Sequence, residues 1–313
     1  MLSIPLKKAA SPNNTNQYAN IVLSIWKKYN IVLLISILVL LSFIPRLWKL
    51  EQYPSVIVDE PANLRDIDLV LNGKAGWITD FYWDGSQSMI SYYPTIVLIT
   101  LLGEKNNFLA LRLTSVFLSI LALIPFFFIL KKYTNILIAF STTLLFSYSY
   151  YYLEFSRVGW INIHVTTIGL YVFWILNIAL VKKNILLMSI SGILTGILFY
   201  LYRSNNVYIL GIFIFIIGNL LLKKISIKKA AIPLCAFVLC FSLVSFPWLS
   251  KILHNWDRYT LRQQHTSVPR AGPYHNVYSY SDIMKYQIIT TLRSWILINF
   301  PRPYGRGFNL FQT

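Results

Sequence analysis

Seven long apolar runs dominate this sequence, at about 31–48, 113–130, 134–153, 161–181, 185–202, 207–222 and 230–249. Each approaches the roughly 20 residues a helix needs to cross a hydrocarbon core. Lipid offers backbone amides and carbonyls no water, so such runs must close their hydrogen bonds internally as helices. The expected fold class is all-α, a polytopic transmembrane helix bundle of about seven crossings. Composition agrees: 56% of residues are hydrophobic and 12% charged, where a soluble domain carries about twice that charged share. The net charge of +17 is then read as Lys and Arg anchoring loops at lipid head groups. No nucleic-acid partner is expected.

Residues 1–30, rich in Asn, Ser and Lys, are read as a cytoplasmic tail, and the first apolar run as a retained signal-anchor, since Pro45-Arg46 follows it where a cleavage site would need small residues. Arg46 and Lys49 are read as snorkelling anchors at the end of that run. Sidedness turns on Tyr92–Gly103, an eighth apolar stretch of about a dozen residues that contains Pro94. Segments of 10–14 residues are more often interfacial than spanning. If this one lies in the interface, all five lysine pairs (27–28, 131–132, 182–183, 223–224 and 228–229) fall in the cytoplasm, as the positive-inside rule requires. The same choice puts every acid outside. The expected organisation is a transmembrane module over 31–249 with an outer loop at 49–112, then an outer juxtamembrane segment over 250–313. A second surface helix is expected at Asp282–Phe300, from its helical apolar spacing.

That topology gathers the chemistry on one face. Asp59, Glu60, Asp80 and Asp84 supply carboxylates, and Arg65, Arg157 and Arg203 supply cations. Trp77, Tyr82, Trp83, Tyr92, Tyr93 and Trp160 supply aromatic surface. Such a mixture suits a ligand with a phosphate, a sugar and a lipid tail, because guanidinium binds phosphate in bidentate fashion and carboxylates accept from hydroxyls. Blander roles stand beside these: aromatic belts anchor membrane interfaces, Glu154 and Arg157 have the spacing of a helix ion pair, and His164 reads as a packing histidine. Cys235 and Cys240 lie in an apolar run and read as packed thiols. No Cys/His zinc spacing, glycine-rich phosphate loop or nucleophile elbow is present in the sequence.

The order of motifs resembles the GT-C glycosyltransferases, closest to the group of dolichyl-phosphate-mannose protein mannosyltransferases and lipid A aminoarabinose transferases. The resemblance rests on an Asp-Glu opening the first outer loop in "DEPANLRDIDLVLNGK", a Pro-led helix with a Leu-Gly corner in "SYYPTIVLITLLGEKNNFLALRLTS", the Ser-Arg of "LEFSRVGWIN", and "GILTGILFYLYRSN". It covers about 31–250. Ser91-Tyr-Tyr-Pro94 stands where protein mannosyltransferases carry His-Pro-Pro-Leu-Gly-Lys, which points away from protein O-mannosylation. Relatives continue through further crossings, so the 250–313 segment is expected to be incomplete.

The resemblance implies an integral protein of the plasma or inner membrane, with its site on the periplasmic, extracellular or lumenal side. A polyprenyl-phosphate sugar would be the donor, and a glycan, lipid or protein hydroxyl the acceptor. Asp59 would be the general base and Glu60 its partner or a ligand for a divalent cation. Arg65, Asp80, Asp84, Tyr92, Tyr93, Arg157 and Arg203 would bind substrate. One carboxylate on the attacking side gives inversion. The alternatives are a non-catalytic membrane scaffold, an inactive fragment of such an enzyme, and a lipid-linked sugar transporter, the last disfavoured by spans nearly free of charge.

Overall fold

The computed structural model describes residues 31–57, 59–74, 88–103, 107–202, 204–222 and 227–260. These residues are helical, with no strand among them. In order they form α1 (Ile31–Leu47), α2 (Asp59–Leu71), a 3-10 turn (Met89–Tyr92), α3 (Tyr93–Leu102), α4 (Asn107–Tyr133), α5 (Ile136–Tyr148), α6 (Tyr150–Arg157), α7 (Asn162–Lys182), α8 (Ile185–Tyr200), α9 (Asn205–Leu221) and α10 (Ile227–His254). The expected surface helix at 282–300 lies outside the described residues.

Three helices are long and apolar enough to cross a membrane: α4, α7 and α10 over Ala230–His254. A fourth span results if α5 and α6, bent by 59° at Ser149, are taken together. This is fewer than the seven expected. The shortfall has a local cause, because polar caps and turns end several helices before the apolar run ends. Asn184 accepts from the Leu187 amide and opens α8, which has 16 residues, and Leu201 and Tyr202 of the same apolar run already lie in the following turn. α9 has 17 residues. At 1.5 Å per residue such helices rise about 25 Å, a little short of a hydrocarbon core of about 30 Å.

α3 has the short length its sequence predicts. Pro94 opens it, where a missing N–H costs nothing, and it runs ten residues to Gly103, or about 15 Å. Gly103 has φ +85°, a conformation that a side chain disfavours, and the chain turns there into α4. Thr95 donates to Thr114 at 3.0 Å, and Ile99 packs with Ala110 and Leu111, so α3 runs back along the first turns of α4.

α4 is the hub of the first half and packs against α2, α3, α5, α6 and α7. α8 is the hub of the second half, between α7 and α10. The α8–α10 contact is close because Gly192 and Gly196 face the partner helix: a Cβ on Gly192 would sit 2.4 Å from the Phe237 carbonyl oxygen, and one on Gly196 2.6 Å from Val244 Cβ. Small residues at this spacing let helix backbones approach. Cys235 is exposed and Cys240 half-buried, both free. Cys235 is therefore not the packed thiol its apolar run led us to expect, because α10 turns that face outward.

Arg46 also departs from expectation. It is fully buried rather than snorkelling. Its Nε donates to Ser119 Oγ at 3.1 Å, Nη1 to Ser42 O and Ser147 Oγ, and Nη2 to Ser147 O at 2.9 Å. The Tyr152 ring lies 5.5 Å from the guanidinium carbon. Serines on α1, α4 and α5 thus replace water around the charge, and the side chain ties those three helices together.

Two ends of the bundle differ. At one, Lys131, Lys132 and Lys182 fill the last turns of α4 and α7, and Lys132 Nζ donates to Asn177. At the other, α2, α3, the end of α1, the α6–α7 junction and the end of α8 come together. There Ser88 donates its amide to Tyr200 O at 3.1 Å.

Candidate functional site

The acidic pair at the start of α2 is split by its environment. Asp59 is exposed, whereas Glu60 has no exposed surface. Glu60 Oε1 accepts from Arg112 Nε at 2.7 Å and from the Gly159 amide at 2.9 Å. Its Oε2 accepts from Arg112 Nη2 at 2.9 Å and from the Ile57 amide at 3.1 Å. The last bond, from a residue three positions earlier, is half of a capping box. Arg112, also fully buried, donates through Nη1 to Leu50 O and Pro54 O at 2.7 and 2.9 Å, and the Phe108 ring lies 4.4 Å away. Burial of two opposite charges is tolerable only when the geometry is bidentate and the remaining donors are met. Both conditions hold here.

One turn along α2, Asn63 completes the clasp. Its Nδ2 donates to Gly159 O at 2.8 Å, and its Oδ1 accepts from Tyr92 Oη at 2.9 Å. Glu60 and Asn63 therefore hold both polar groups of a single peptide residue. Gly159 is required there, since a Cβ would lie 2.4 Å from Leu111 Cγ. Tyr92 is buried in this contact, so the structure seats it in the core instead of on an open substrate-facing wall. Tyr93 is half-buried, and burial pushes its hydroxyl above the ordinary phenol range.

Arg157 donates through Nη2 to Trp48 O at 2.6 Å and Tyr53 O at 2.8 Å. The turn after α1 is thus wrapped on two guanidiniums, those of Arg112 and Arg157. The spacing of Glu154 and Arg157 allows an ion pair, but none joins them among the described residues, because carbonyls of the turn claim the arginine. Arg65 is largely exposed and lies 3.5 Å from the buried carboxylate of Asp66. His164 is buried in the first turn of α7, as a packing histidine would be.

Of the expected site residues, Asp59, Glu60 and Arg65 share α2, and Tyr92, Tyr93 and Arg157 lie at the same end of the bundle. Asp80, Asp84 and Arg203, with Trp77, Tyr82 and Trp83, lie outside the described residues. Sequence reasoning assigned no role to Arg112 or Asn63. The signals for Arg112 were its place in the Arg-Leu-x-Ser that opens the next apolar run in the family-like stretch, and a cation at the start of that run, which reads equally well as an anchor. Among the described residues no group of three or more His, Cys, Asp and Glu is placed to hold a metal ion. All four contacts on Glu60 come from protein donors, which leaves Asp59 as the accessible carboxylate of the pair.

No family model, no curated protein and no solved structure matches this chain.

Proposed function

We propose that this chain is a membrane glycosyltransferase that moves a sugar from a polyprenyl-phosphate donor to an acceptor hydroxyl, with inversion, on the face that carries α2 and α3. In this reading α1, α8 and α9 also cross, as short spans, which completes a seven-crossing GT-C-like bundle with α3 in the outer interface. The observation that carries it is the split of the acidic pair. Glu60 is locked to Arg112 and Gly159, and the adjacent Asp59 is left exposed on the first turn of a helix whose position that lock determines. A general base needs such an arrangement: a carboxylate open to substrate, on a rigid support.

Asp59 takes the proton of the acceptor hydroxyl as that oxygen attacks the anomeric carbon. The bond from the anomeric carbon to the phosphate oxygen breaks, and the lipid phosphate leaves with the electron pair. It needs charge stabilisation more than protonation. Arg65, exposed on α2 six residues after Asp59, is the described cation best presented for that role; Arg203, which the resemblance would add, lies outside the described residues.

The test is Asp59→Asn, which keeps size and polarity but cannot accept a proton. Transfer of radiolabelled sugar from a short prenyl-phosphate donor should fall by about 10²–10⁴-fold, the usual contribution of general-base catalysis, with donor binding unchanged. Near-normal turnover in Asp59→Asn overturns Asp59 as the base, whereas no transfer by the native chain leaves the non-catalytic scaffold, in which α2 serves only as a docked cap. Glu60 accepts the Ile57 amide at the head of α2, so loss of the Asp59 charge alone leaves that contact in place.

A further inference from the structure

α5 stops well short of the height that its neighbours reach. It has 13 residues, which rise about 20 Å, and the chain then bends by 59° into α6. α4 gives a second ruler for the same height. Arg46 Nε donates to Ser119 Oγ at 3.1 Å, and Tyr152 Oη to Ser119 O at 2.7 Å, so the break between α5 and α6 stands level with Ser119. Ser119 precedes Lys131 by twelve residues on α4, or about 18 Å. Arg112, in the clasp, lies seven residues beyond Ser119 toward the other end, about 10 Å further. The break therefore sits about 10 Å below the clasp, at a height that a hydrocarbon core of about 30 Å would cover.

The break is polar, and it opens to the outside of the bundle. Ser149 precedes α6 without capping it, because its hydroxyl donates to Phe146 O at 2.7 Å. The first turn of a helix leaves its amides without intrahelical acceptors, and two residues of that turn, Tyr150 and Tyr151, are exposed. Lipid tails offer such amides nothing. Arg46 answers only the inward side of the break, where it is buried and donates to Ser147 O at 2.9 Å. On the outward side Tyr148 is 44% and Tyr150 62% exposed, and tyrosine settles at the level of lipid head groups. Lys49, Glu51 and Gln52, exposed within six residues of Arg46, add charge at the end of α1.

α10 has no such step. Ile232, Leu239, Phe246 and Leu253 recur every seven residues and are all exposed, an apolar stripe of 21 residues or about 31 Å, which matches a full hydrocarbon core. We propose that the outer leaflet descends by about 10 Å along the α1–α5–α6 face, so that phospholipid head groups and their water meet Ser149 and Tyr150, while the α10 face takes lipid of full length. A bilayer meets a short apolar face by thinning, at a modest cost per ångström. Unanswered amides left in hydrocarbon cost far more. Tilting the whole bundle does not serve instead, because it would sink the lysine end of α5 together with the break. The inference needs only the spans that length and composition allow, α4, α7, α10 and the bent α5–α6 pair. It stands apart from the glycosyltransfer reading.

The test places single nitroxide labels on the full chain, free of Cys235 and Cys240, in vesicles of dioleoyl phosphatidylcholine. Spin-label collision with oxygen against collision with a nickel chelate reads depth. Tyr148→Cys and Tyr150→Cys report the break, each by itself, and thermal melts confirm that the labelled chains fold. Leu243→Cys reports the opposite face at a matched height, since Leu243 is exposed on α10 and follows Ala230 by 13 residues, about 20 Å. Tyr133→Cys, exposed beside Lys131 and Lys132, marks the lysine end. The labels at 148 and 150 should lie at head-group depth and the label at 243 deep in hydrocarbon, about 10 Å lower. In dilauroyl phosphatidylcholine, with its thinner core, that gap should shrink. Labels at 148 and 150 as deep as the one at 243 in dioleoyl lipid overturn the proposal. So does a break that reads shallow only because the label at 133 has sunk out of the inner interface. Labels at 148 and 150 that meet neither reagent also overturn it, and show a second copy of the chain covering the face.

Discussion

Glu60 and Arg112 meet side by side, with Nε on Oε1 at 2.7 Å and Nη2 on Oε2 at 2.9 Å, and neither side chain is exposed. The pair joins α2 to α4, the hub of the first half of the bundle. Removing one partner leaves the other charged and buried, which typically costs about 3–5 kcal/mol. Glu60→Gln and Arg112→Leu should each lower the thermal midpoint in detergent sharply, and the double variant should be less damaged than the sum of the two. Asp59→Asn, at an exposed position, should stay within about 0.5 kcal/mol of the native chain. Strict additivity at 60 and 112 would mean the two groups do not interact as described.

Arg46 gives a test of a different kind, because its bonds run to neutral groups. The guanidinium fork reaches Ser119 through Nε and Ser147 through Nη1 and Nη2 together. A lysine ammonium cannot span those directions. Arg46→Lys should therefore lose at least one charged hydrogen bond, worth about 1.5–3 kcal/mol, and should rescue little of the instability of Arg46→Ala. If Arg46→Lys melts like the native chain, the side chain is an interfacial anchor after all.

The glycines of α7 and α8 should respond differently to a single methyl group. At Gly192 a Cβ meets a carbonyl oxygen of α10 at 2.4 Å, and no side-chain change on the partner can move that atom. Overpacking of this kind costs about 1–3 kcal/mol. At Gly169 the atom in the way is the Tyr208 ring, at 2.4 Å. Gly169→Ala should be relieved by adding Tyr208→Ala, whereas Gly192→Ala should find no rescue at Phe237. Unfolding curves of the four variants decide this.

The two ends of the bundle predict sidedness. In a background free of Cys235 and Cys240, single cysteines at Trp48 and Ser204 should label with an impermeant maleimide on intact cells. Cysteines at Thr134 and Lys183 should label only after permeabilisation. Labelling at Thr134 from outside would make α3 a true crossing and invert every face assigned to the elements after it.

Much of the fold could be read from the chain because hydrophobic length and a few punctuating residues carry it. Pro94 and Gly103 bracket α3 at the length their spacing allows, and Asn135 and Asn184 cap α5 and α8 at the turns next to the lysines. The number of spans was less legible, since an apolar run does not say where its helix stops. Leu201 and Tyr202 are as apolar as the residues before them, yet they follow the end of α8. The site was half legible. Sequence marks the position of Asp59 and Glu60 along the chain but cannot tell which of two adjacent acids faces inward. It is equally silent on azimuth for Arg46 and Arg112, each of which sits where an anchor would. What buries them is a partner far off in sequence: Ser147 for Arg46, 101 residues away, and Glu60 for Arg112, 52 residues away.

The clamp on Gly159 has a bearing on biogenesis. A nascent chain emerges from its N-terminus, so Glu60 is synthesised 52 residues before Arg112 and 99 before Gly159. Until both arrive, its carboxylate cannot be taken out of water at a tolerable free energy. The segment carrying α2 must therefore wait, hydrated and unseated, while α4, α5 and α6 are delivered. It closes over the bundle only when the residues leading into α7 appear. Insertion of the helices and closure of this loop are then separate events in the life of the molecule, the second gated by the first.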